Sequence, residues 1–447
     1  MNLLEEMKRL VATHAQLQWV ESFLTEQPTA HLFLVGGAVR DLIMRRAMHD
    51  VDFDFVVRGM DAQAIENWFS PRGKIDFVGR TFGVYRFVPE GMDPSRTPFM
   101  DIALPRTEKP DPQSKGGYRD FHIASDPHLP IEDDLSRRDF TMNAMAIDLR
   151  TGTLIDPFGG THDLQQRLIR AVGDPRDRFN EDLSRMLRAI RFASELHFEM
   201  EEQTLSAIKA HIGRINDQYG EPPQYIVPRE TVGSELAKAL ARNPSGAARW
   251  LVETGAMAVL FKDGSDISHL QEGNPTLAVA LLLRAQNRQN LPWLLAATGL
   301  DSLPRGTPLR IEPSDVCWLH DRLNENWSAQ SVMSLRASLF EKYFMHGRAQ
   351  LLLEALAATG CGAALDAARD RARDIRERWS ADESEPIPPL VSGNEIVNAG
   401  IPAGPRVREM LDRIRDEQLE GSLLTREQAK RFLTSVAKEE GSQGDVS

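Results

Sequence analysis

Short apolar runs of strand length mark the first part of the chain, and long helix-spaced segments fill the rest. Residues 31–35 read His-Leu-Phe-Leu-Val, and further runs at 50–57, 84–88 and 142–149 have the length and composition of strands. Beyond Gly159 the strand pattern nearly vanishes, and the Leu/Ala/Arg-rich segments 182–196, 231–241 and 334–358 read as amphipathic helices. The pattern predicts an α+β chain, with a head of mixed strands and helices over 1–150 and an all-helical remainder. Breaker clusters stand at Gly220-Glu-Pro-Pro223, at 301–313 and at 382–389, and helical segments are expected at 151–220, 221–330 and 331–447. The polar tail after Lys438 is expected to fray, and no repeat of constant period is present.

Within the second apolar run, Asp50-Val-Asp-Phe-Asp-Phe-Val-Val57 alternates acidic and apolar residues. A strand's period of two puts Asp50, Asp52 and Asp54 on one face and Val51, Phe53 and Phe55 on the other. Such a stripe is either the solvated face of a half-buried strand or a metal site, and like charges in a row are costly without a counter-ion. Hard oxygen ligands select Mg²⁺, and two such ions ~4 Å apart can stabilise attacking and leaving oxygens together. Upstream, the strand ending at Val35 runs into Gly36-Gly-Ala-Val-Arg-Asp41. Two glycines let the backbone turn tightly toward a phosphate, and Arg40 adds a charged fork. A strand, a glycine pair and a helix are common by themselves. A phosphate cradle followed nine residues later by an acidic strand is a more specific pairing.

Further along, Glu181-Asp-Leu-Ser-Arg-Met-Leu-Arg-Ala-Ile-Arg-Phe192 gathers Leu183, Met186, Leu187 and Ile190 into a core stripe at about 100° per residue. Asp182 and Arg185 fall about 60° apart on the other side, and Arg188 and Arg191 continue that polar face. The plain reading is a solvated face with an i,i+3 ion pair. The functional reading is a carboxylate acceptor beside a guanidinium donor, which matches the amine and ring nitrogen that adenine and cytosine both present and guanine and uracil do not. Arg137-Arg-Asp-Phe-Thr-Met-Asn-Ala-Met-Ala146 reads alone as a capped helix with Asp139 near its start. Beside a triphosphate site, Arg138 becomes a phosphate clamp and Asn143 a ribose-hydroxyl partner.

Composition narrows the setting. A chain of 447 residues with 41% hydrophobic and 26% charged residues should fold into two to four domains. Cys317 and Cys361 are the only cysteines, too few for a disulfide framework, and a cytoplasmic location is expected. No basic n-region opens the chain and no apolar run of membrane-spanning length occurs in it, so neither export nor a membrane is expected. A net charge of −12 argues against indiscriminate attraction to polyanions. Locally, however, seven arginines between Arg167 and Arg191 face only four acids, which permits a basic surface on an acidic protein.

Taken together, these segments resemble the class II tRNA nucleotidyltransferase and bacterial poly(A) polymerase family. The resemblance is carried by Gly36-Gly-Ala-Val-Arg-Asp41 with Asp50-Val-Asp52, by 137–146, by Asp156-Pro-Phe-Gly-Gly160, and by Glu181-Asp182 with Arg185, Arg188 and Arg191. It is dense over 31–196, thin over 222–390, and returns near Ser392-Gly-Asn-Glu395 and Gly400-Ile-Pro-Ala-Gly404. It implies a polymerase-β-like nucleotidyltransferase head with a small mixed sheet, followed by helical neck, body and tail. It also implies addition of CCA to the 3′ end of tRNA from CTP and ATP, with Mg²⁺ as cofactor. Asp50 and Asp52 would hold metal, with Asp101 as a third carboxylate. Gly36, Gly37, Arg40, Arg138 and Asn143 would hold the nucleotide, Asp182 and Arg185 would read its base, and Arg188 and Arg191 would lie on nucleotide or primer.

The chain departs from the family pattern in four places. Asp54 adds an acid where apolar residues are common, leaving open whether the metal assignment shifts toward it. Leu183-Ser184 and Arg45-Arg46 stand where Pro-Leu or Ala-Leu, and Leu-Gly, are frequent. No spaced His and Asp set for a phosphohydrolase is present, and His320-Asp321 reads as a surface pair. Gly79-Arg-Thr-Phe-Gly-Val-Tyr-Arg86 lacks the Arg-Arg-Phe and histidine of many poly(A) polymerases, which favours CCA addition. The long polar stretch 106–127 favours full CCA over CC-only products, with A-only addition left as an alternative. Readings from other classes are a catalytically inert RNA-binding protein and an enzyme that nucleotidylates a protein or small molecule; neither needs the Asp182/Arg185 pair.

Overall fold

The computed structural model describes residues 3–48, 51–78, 84–94, 97, 99–110, 121–261, 274–302, 311–382 and 385–443. The chain forms two compact units, one of residues 1–263 with 296–310, the other of residues 264–295 with 311–447.

The first unit opens with helices α1 (Leu3–Thr13) and α2 (Trp19–Glu26), then strand β1 (His31–Val35) and helix α3 (Gly37–Ile43). Strand β2 (Asp54–Arg58), helix α4 (Ala62–Phe69) and strands β3 (Gly73–Val78), β4 (Val84–Pro89) and β5 (Met100–Ala103) follow. A hairpin of β6 (Arg106–Pro110) and β7 (Phe121–Ser125), helix α5 (Ile131–Ser136), and strands β8 (Ala146–Asp148) and β9 (Leu154–Ile155) complete the head. Seven strands form one mixed sheet in the order β3-β4-β5-β2-β1-β8-β9, with β2 and β5 parallel and the other pairs antiparallel. One sheet face is sealed by aromatic rings: Trp19 packs edge-on to Phe55 at 5.2 Å and to Phe69 at 5.0 Å, and Phe69 meets Phe87 at 4.9 Å. Burying several such rings is the main reason this small sheet is stable. On the other face, Phe33, Val35, Val56 and Ala146 pack with Ile131 and Leu135 of α5.

Register on that second face positions the site. Val35 lies opposite Asp54, Asp54 opposite Asp101, and Asp101 opposite Arg86. Directly opposed residues project to the same side of a sheet, so the apolar row ends in two carboxylates where β1 gives way to the Gly36 turn.

Helices α6 (Gly160–Gln166), α7 (Pro175–Glu181), α8 (Ser184–Leu196), α9 (Glu202–His211), α10 (Arg229–Arg242) and α11 (Pro244–Glu253) continue the first unit. The Asp156 carboxylate accepts from the backbone N–H of Gly160 at 2.6 Å and of Thr161 at 2.9 Å, fixing the start of α6. A Cβ on Gly160 would meet the Thr141 carbonyl oxygen at 2.3 Å, so this turn must be glycine for α6 to press on 141–143. The expected core stripe of α8 is realised, with Leu183, Met186, Leu187 and Ile190 all buried.

Several elements differ from the sequence pattern. The strand expected over 50–57 begins at Asp54, because pairing with Val35 begins there. The segment 137–146 is not a capped helix: α5 ends before it, and Thr141–Asn143 forms only a 3₁₀ turn. The 334–358 helix is broken into Ala337–Phe344 and Ala349–Ala358 around Gly347, whose φ is +52°. In the second unit, His320 is buried rather than on the surface. Its Nε2 lies 3.1 Å from the Gln286 carbonyl, while Asp321 pairs with Arg288 at 2.8 Å. The last helix, Arg426–Gln443, runs beyond the expected fray point. Ile396, Met410, Ile414 and Leu433 form the core beneath it. Among the described residues no helix is long and apolar enough to cross a membrane.

Candidate active site

A cleft of about 650 Å³ in the first unit is lined by the Gly36-Gly37 turn, by Asp52, Asp54 and Asp101, and by Arg40, Arg138, Asp182, Arg185, Arg188 and Arg191. Eleven of the twelve residues singled out by sequence are therefore gathered in one place, Asn143 included. The twelfth, Asp50, lies outside the described residues, as do residues 79–83 and residues 111–120 of the long polar stretch 106–127.

Arg40, Arg138, Arg185, Arg188 and Arg191 of the cleft are each held by an acid. Gly36 turns the chain out of β1 with φ +72°, and a Cβ there would meet Arg138 Nη1 at 3.0 Å and Asp54 Oδ2 at 3.7 Å. The glycine thus serves both backbone and space. Arg138 is steadied by buried Asp134 at 3.2 Å. Arg40 donates in parallel to Asp41 at 3.0 and 2.9 Å and to Asn143 Oδ1 at 3.0 Å. Asn143 donates in turn to Asp139 Oδ1 at 3.1 Å. With one bond on each side its amide couples Arg40 to Asp139 and keeps one N–H.

Asp139 is the buried anchor of the cleft. Arg188 donates to its Oδ2 through Nε at 2.8 Å and Nη2 at 2.6 Å. Burial alone would push the Asp139 carboxyl up, but the Arg188 guanidinium and the hydrogen bonds from Arg188 and Asn143 bring it down to about 2. A depressed carboxyl contributes stability above its unfolded value of about 4, and this is lost as pH falls through about 2. Asp139→Asn strands the Arg188 charge and should cost about 3 kcal/mol at neutral pH. Thermal unfolding at pH 7 and at pH 3 checks this: the gap between variant and parent should narrow in acid, and an equal gap at both would refute the assignment.

Arg191 is locked by Glu235 of α10 at 2.5 Å and by Glu195 at 3.2 Å. The Phe192 ring lies under three guanidiniums, those of Arg191 at 4.0 Å, Arg40 at 5.2 Å and Arg188 at 5.3 Å. These contacts orient the arginines as a rigid wall.

Asp182 and Arg185 share the cleft without forming the i,i+3 pair expected of one helix. Asp182 sits in extended conformation between α7 and α8. Its Oδ1 accepts from the Ser184 N–H at 2.8 Å and hydroxyl at 2.6 Å. Arg185 instead donates to Glu181 at 2.8 Å, to the Arg178 carbonyl at 3.2 Å and to the Arg137 carbonyl at 3.0 Å. Of its five N–H groups these use three, leaving two donors, and Asp182 Oδ2 is left as an acceptor.

Asp54 is inside the cleft. Burial lifts its carboxyl to about 6, only partly opposed by Arg138 and reinforced by Asp101 and Asp52. Burial also raises Asp101, against Arg86 at 3.7 Å. Among the described residues no three acids, histidines or cysteines are drawn into a ready-made cage. The donor set nevertheless fits Mg²⁺, which takes one or two carboxylates and fills its shell with water and phosphate oxygens. Asp139 and Glu235 had no local signature, since the arginines they hold lie 49 and 44 residues away.

The description "Poly A polymerase head domain" matches residues 32–170. The chain is 33% identical over 395 residues to a CCA-adding enzyme of Geobacillus kaustophilus, covering 86% of this chain and 87% of that protein. It is 37% identical over 238 residues to a multifunctional CCA protein of Stenotrophomonas maltophilia, covering 52% and 51%; over this and similar relatives the chain spans about half of their length. The crystal structure of a Bacillus stearothermophilus CCA-adding enzyme in complex with CTP superimposes with a TM-score of 0.64 at 25% identity, covering 96% of this chain and all of that one. The fold is that of the CCA-adding enzymes. The chain belongs to the CCA-adding enzyme family.

Proposed function

We propose that this chain adds CCA to the 3′ end of tRNA, using CTP and ATP, in the cytoplasm. The observation that carries the reading is that a base-reading acceptor and donor, Asp182 and Arg185, open into the same cleft as the carboxylates Asp52, Asp54 and Asp101. The family name of the relatives and the CTP bound by the Bacillus enzyme point the same way.

In this reading Arg40 and Arg138 receive the triphosphate beside the Gly36-Gly37 turn. Asp182 Oδ2 accepts from the exocyclic amine of cytosine or adenine, and Arg185 donates to the neighbouring ring nitrogen. Guanine and uracil present a ring N–H there and are rejected by an unmatched donor. Asp52, Asp54 and Asp101 are the carboxylates of the cleft that would hold Mg²⁺, beside the Asp50 that the family resemblance implies. When bound, Mg²⁺ supplies charge neutralisation for the phosphates and the oxygens that attack and leave. The primer's 3′-hydroxyl oxygen bonds to the α-phosphorus, the bond from that phosphorus to the bridging oxygen breaks, and pyrophosphate departs. The helical neck, body and tail over 151–220, 221–330 and 331–447 would grip tRNA through its backbone and shape.

Purified protein, Mg²⁺ and a tRNA lacking CCA should give three added nucleotides with CTP and ATP together, and stop at two with CTP alone. A long A tract from ATP alone would install the poly(A) reading instead, and no extension under any condition would leave an RNA-binding role.

A further inference from the structure

We propose that Lys238 holds a backbone phosphate of the RNA primer at the α10 wall of the cleft. This rests on the nucleotidyltransferase reading above and adds a primer contact that neither the sequence pattern nor the family motifs had supplied.

Lys238 lies on α10, which packs against α8 and α11. Three residues before it, buried Glu235 turns into α8 to lock Arg191 and approaches Arg188 at 3.9 Å. Lys238, about one turn further along the same helix, emerges half-buried in the lining of the cleft. The arginines around it are already matched by acids: Arg40 by Asp41, Arg138 by Asp134, Arg185 by Glu181, Arg188 by Asp139 and Arg191 by Glu235. Lys238 makes no hydrogen bond or ion pair among the described residues. It is thus a cation of this wall whose charge is not cancelled from within.

Two phosphate sources compete for it, the triphosphate and the primer. The triphosphate already has Arg40 and Arg138 beside Gly36 and Asp54, both carried by the head. Lys238 is carried by α10, outside the head, on the helix that backs the base-reading α8. A flexible ammonium also suits a strand that shifts with each added nucleotide, because it binds phosphate as a point charge without fixed fork geometry.

The test uses the full chain and a tRNA lacking CCA. For Lys238→Ala and Lys238→Gln, the Kd for this tRNA by filter binding should rise about five- to tenfold at low salt, and the slope of log Kd against log salt should fall by about 1. KM for CTP and ATP and kcat at saturating tRNA should stay within about twofold, and Lys238→Arg should restore binding. A raised KM for nucleotide with unchanged tRNA binding would place Lys238 on the triphosphate and overturn the proposal, as would unchanged binding and an unchanged salt slope in both variants. Direct binding is read without turnover, so an inactive parent protein would sink the catalytic reading while still scoring Lys238. Thermal unfolding of both variants identifies a loss that comes from misfolding, and Lys238→Gln keeps the stem that Lys238→Ala removes.

Discussion

Asp54→Asn is expected to slow nucleotide addition about 10³-fold while leaving tRNA binding intact, since removing a metal carboxylate forfeits several kcal/mol of transition-state stabilisation. The argument is positional. Asp54 is the first residue of β2 to pair, it stands opposite Asp101 across a parallel ladder, and its Oδ2 reaches the space over Gly36. No acid-neutralising hydrogen bond holds it among the described residues, and Arg138 offsets its burial only partly. Three carboxylates in such a setting are poised for a divalent cation rather than for one another. Titration of the parent protein with Mg²⁺ should therefore raise its unfolding temperature, and Asp54→Asn should abolish the rise. Asp50→Asn should be the milder change in both assays. If Asp50→Asn proves the more damaging and Asp54→Asn keeps its Mg²⁺ response, the carboxylate pair lies two residues upstream of where the sheet register puts it.

Why the alternation of 50–57 could not decide this is a matter of register. A period of two puts every second acid on one face, but it does not say at which residue a neighbouring strand begins to pair. That is settled by Val35 on β1 and Asp101 on β5, 19 and 47 residues away. The glycine turn and the apolar stripe of α8 were legible because both depend on residues close in sequence. The relation of Asp182 to Arg185 was not, for the helical wheel assumes one helix where the chain breaks at Asp182 with φ −145° and ψ 103°. The locks on the arginines were equally hidden: Glu235 reaches Arg191 across 44 residues and Asp139 reaches Arg188 across 49. A run of arginines in sequence suggests a basic surface, whereas most of the charge is cancelled in place, which is what lets a chain of net charge −12 build the cleft at all.

The break at Asp182 also sharpens what its loss should do. Arg185→Ala is expected to lower kcat/KM for both CTP and ATP by about 10²-fold, because it removes the charged donor to the base, worth about 1.5–3 kcal/mol. Discrimination against UTP should fall with it, since the donor that uracil's ring N–H opposes is gone. Arg185→Lys should not restore the parent: an ammonium cannot keep the bonds to Glu181 and to the Arg178 and Arg137 carbonyls and also present a planar pair of donors to a base. Glu181→Gln separates orientation from contact, because it leaves the guanidinium chemically intact while weakening the bond that aims it. It should therefore lower rates less than Arg185→Ala, yet in the same ratio for CTP and ATP. Single-nucleotide extension of a tRNA lacking CCA with each of the four triphosphates in turn gives the ratios directly. Unaltered preference for CTP and ATP over UTP and GTP in Arg185→Ala would mean that the base is read elsewhere in the cleft.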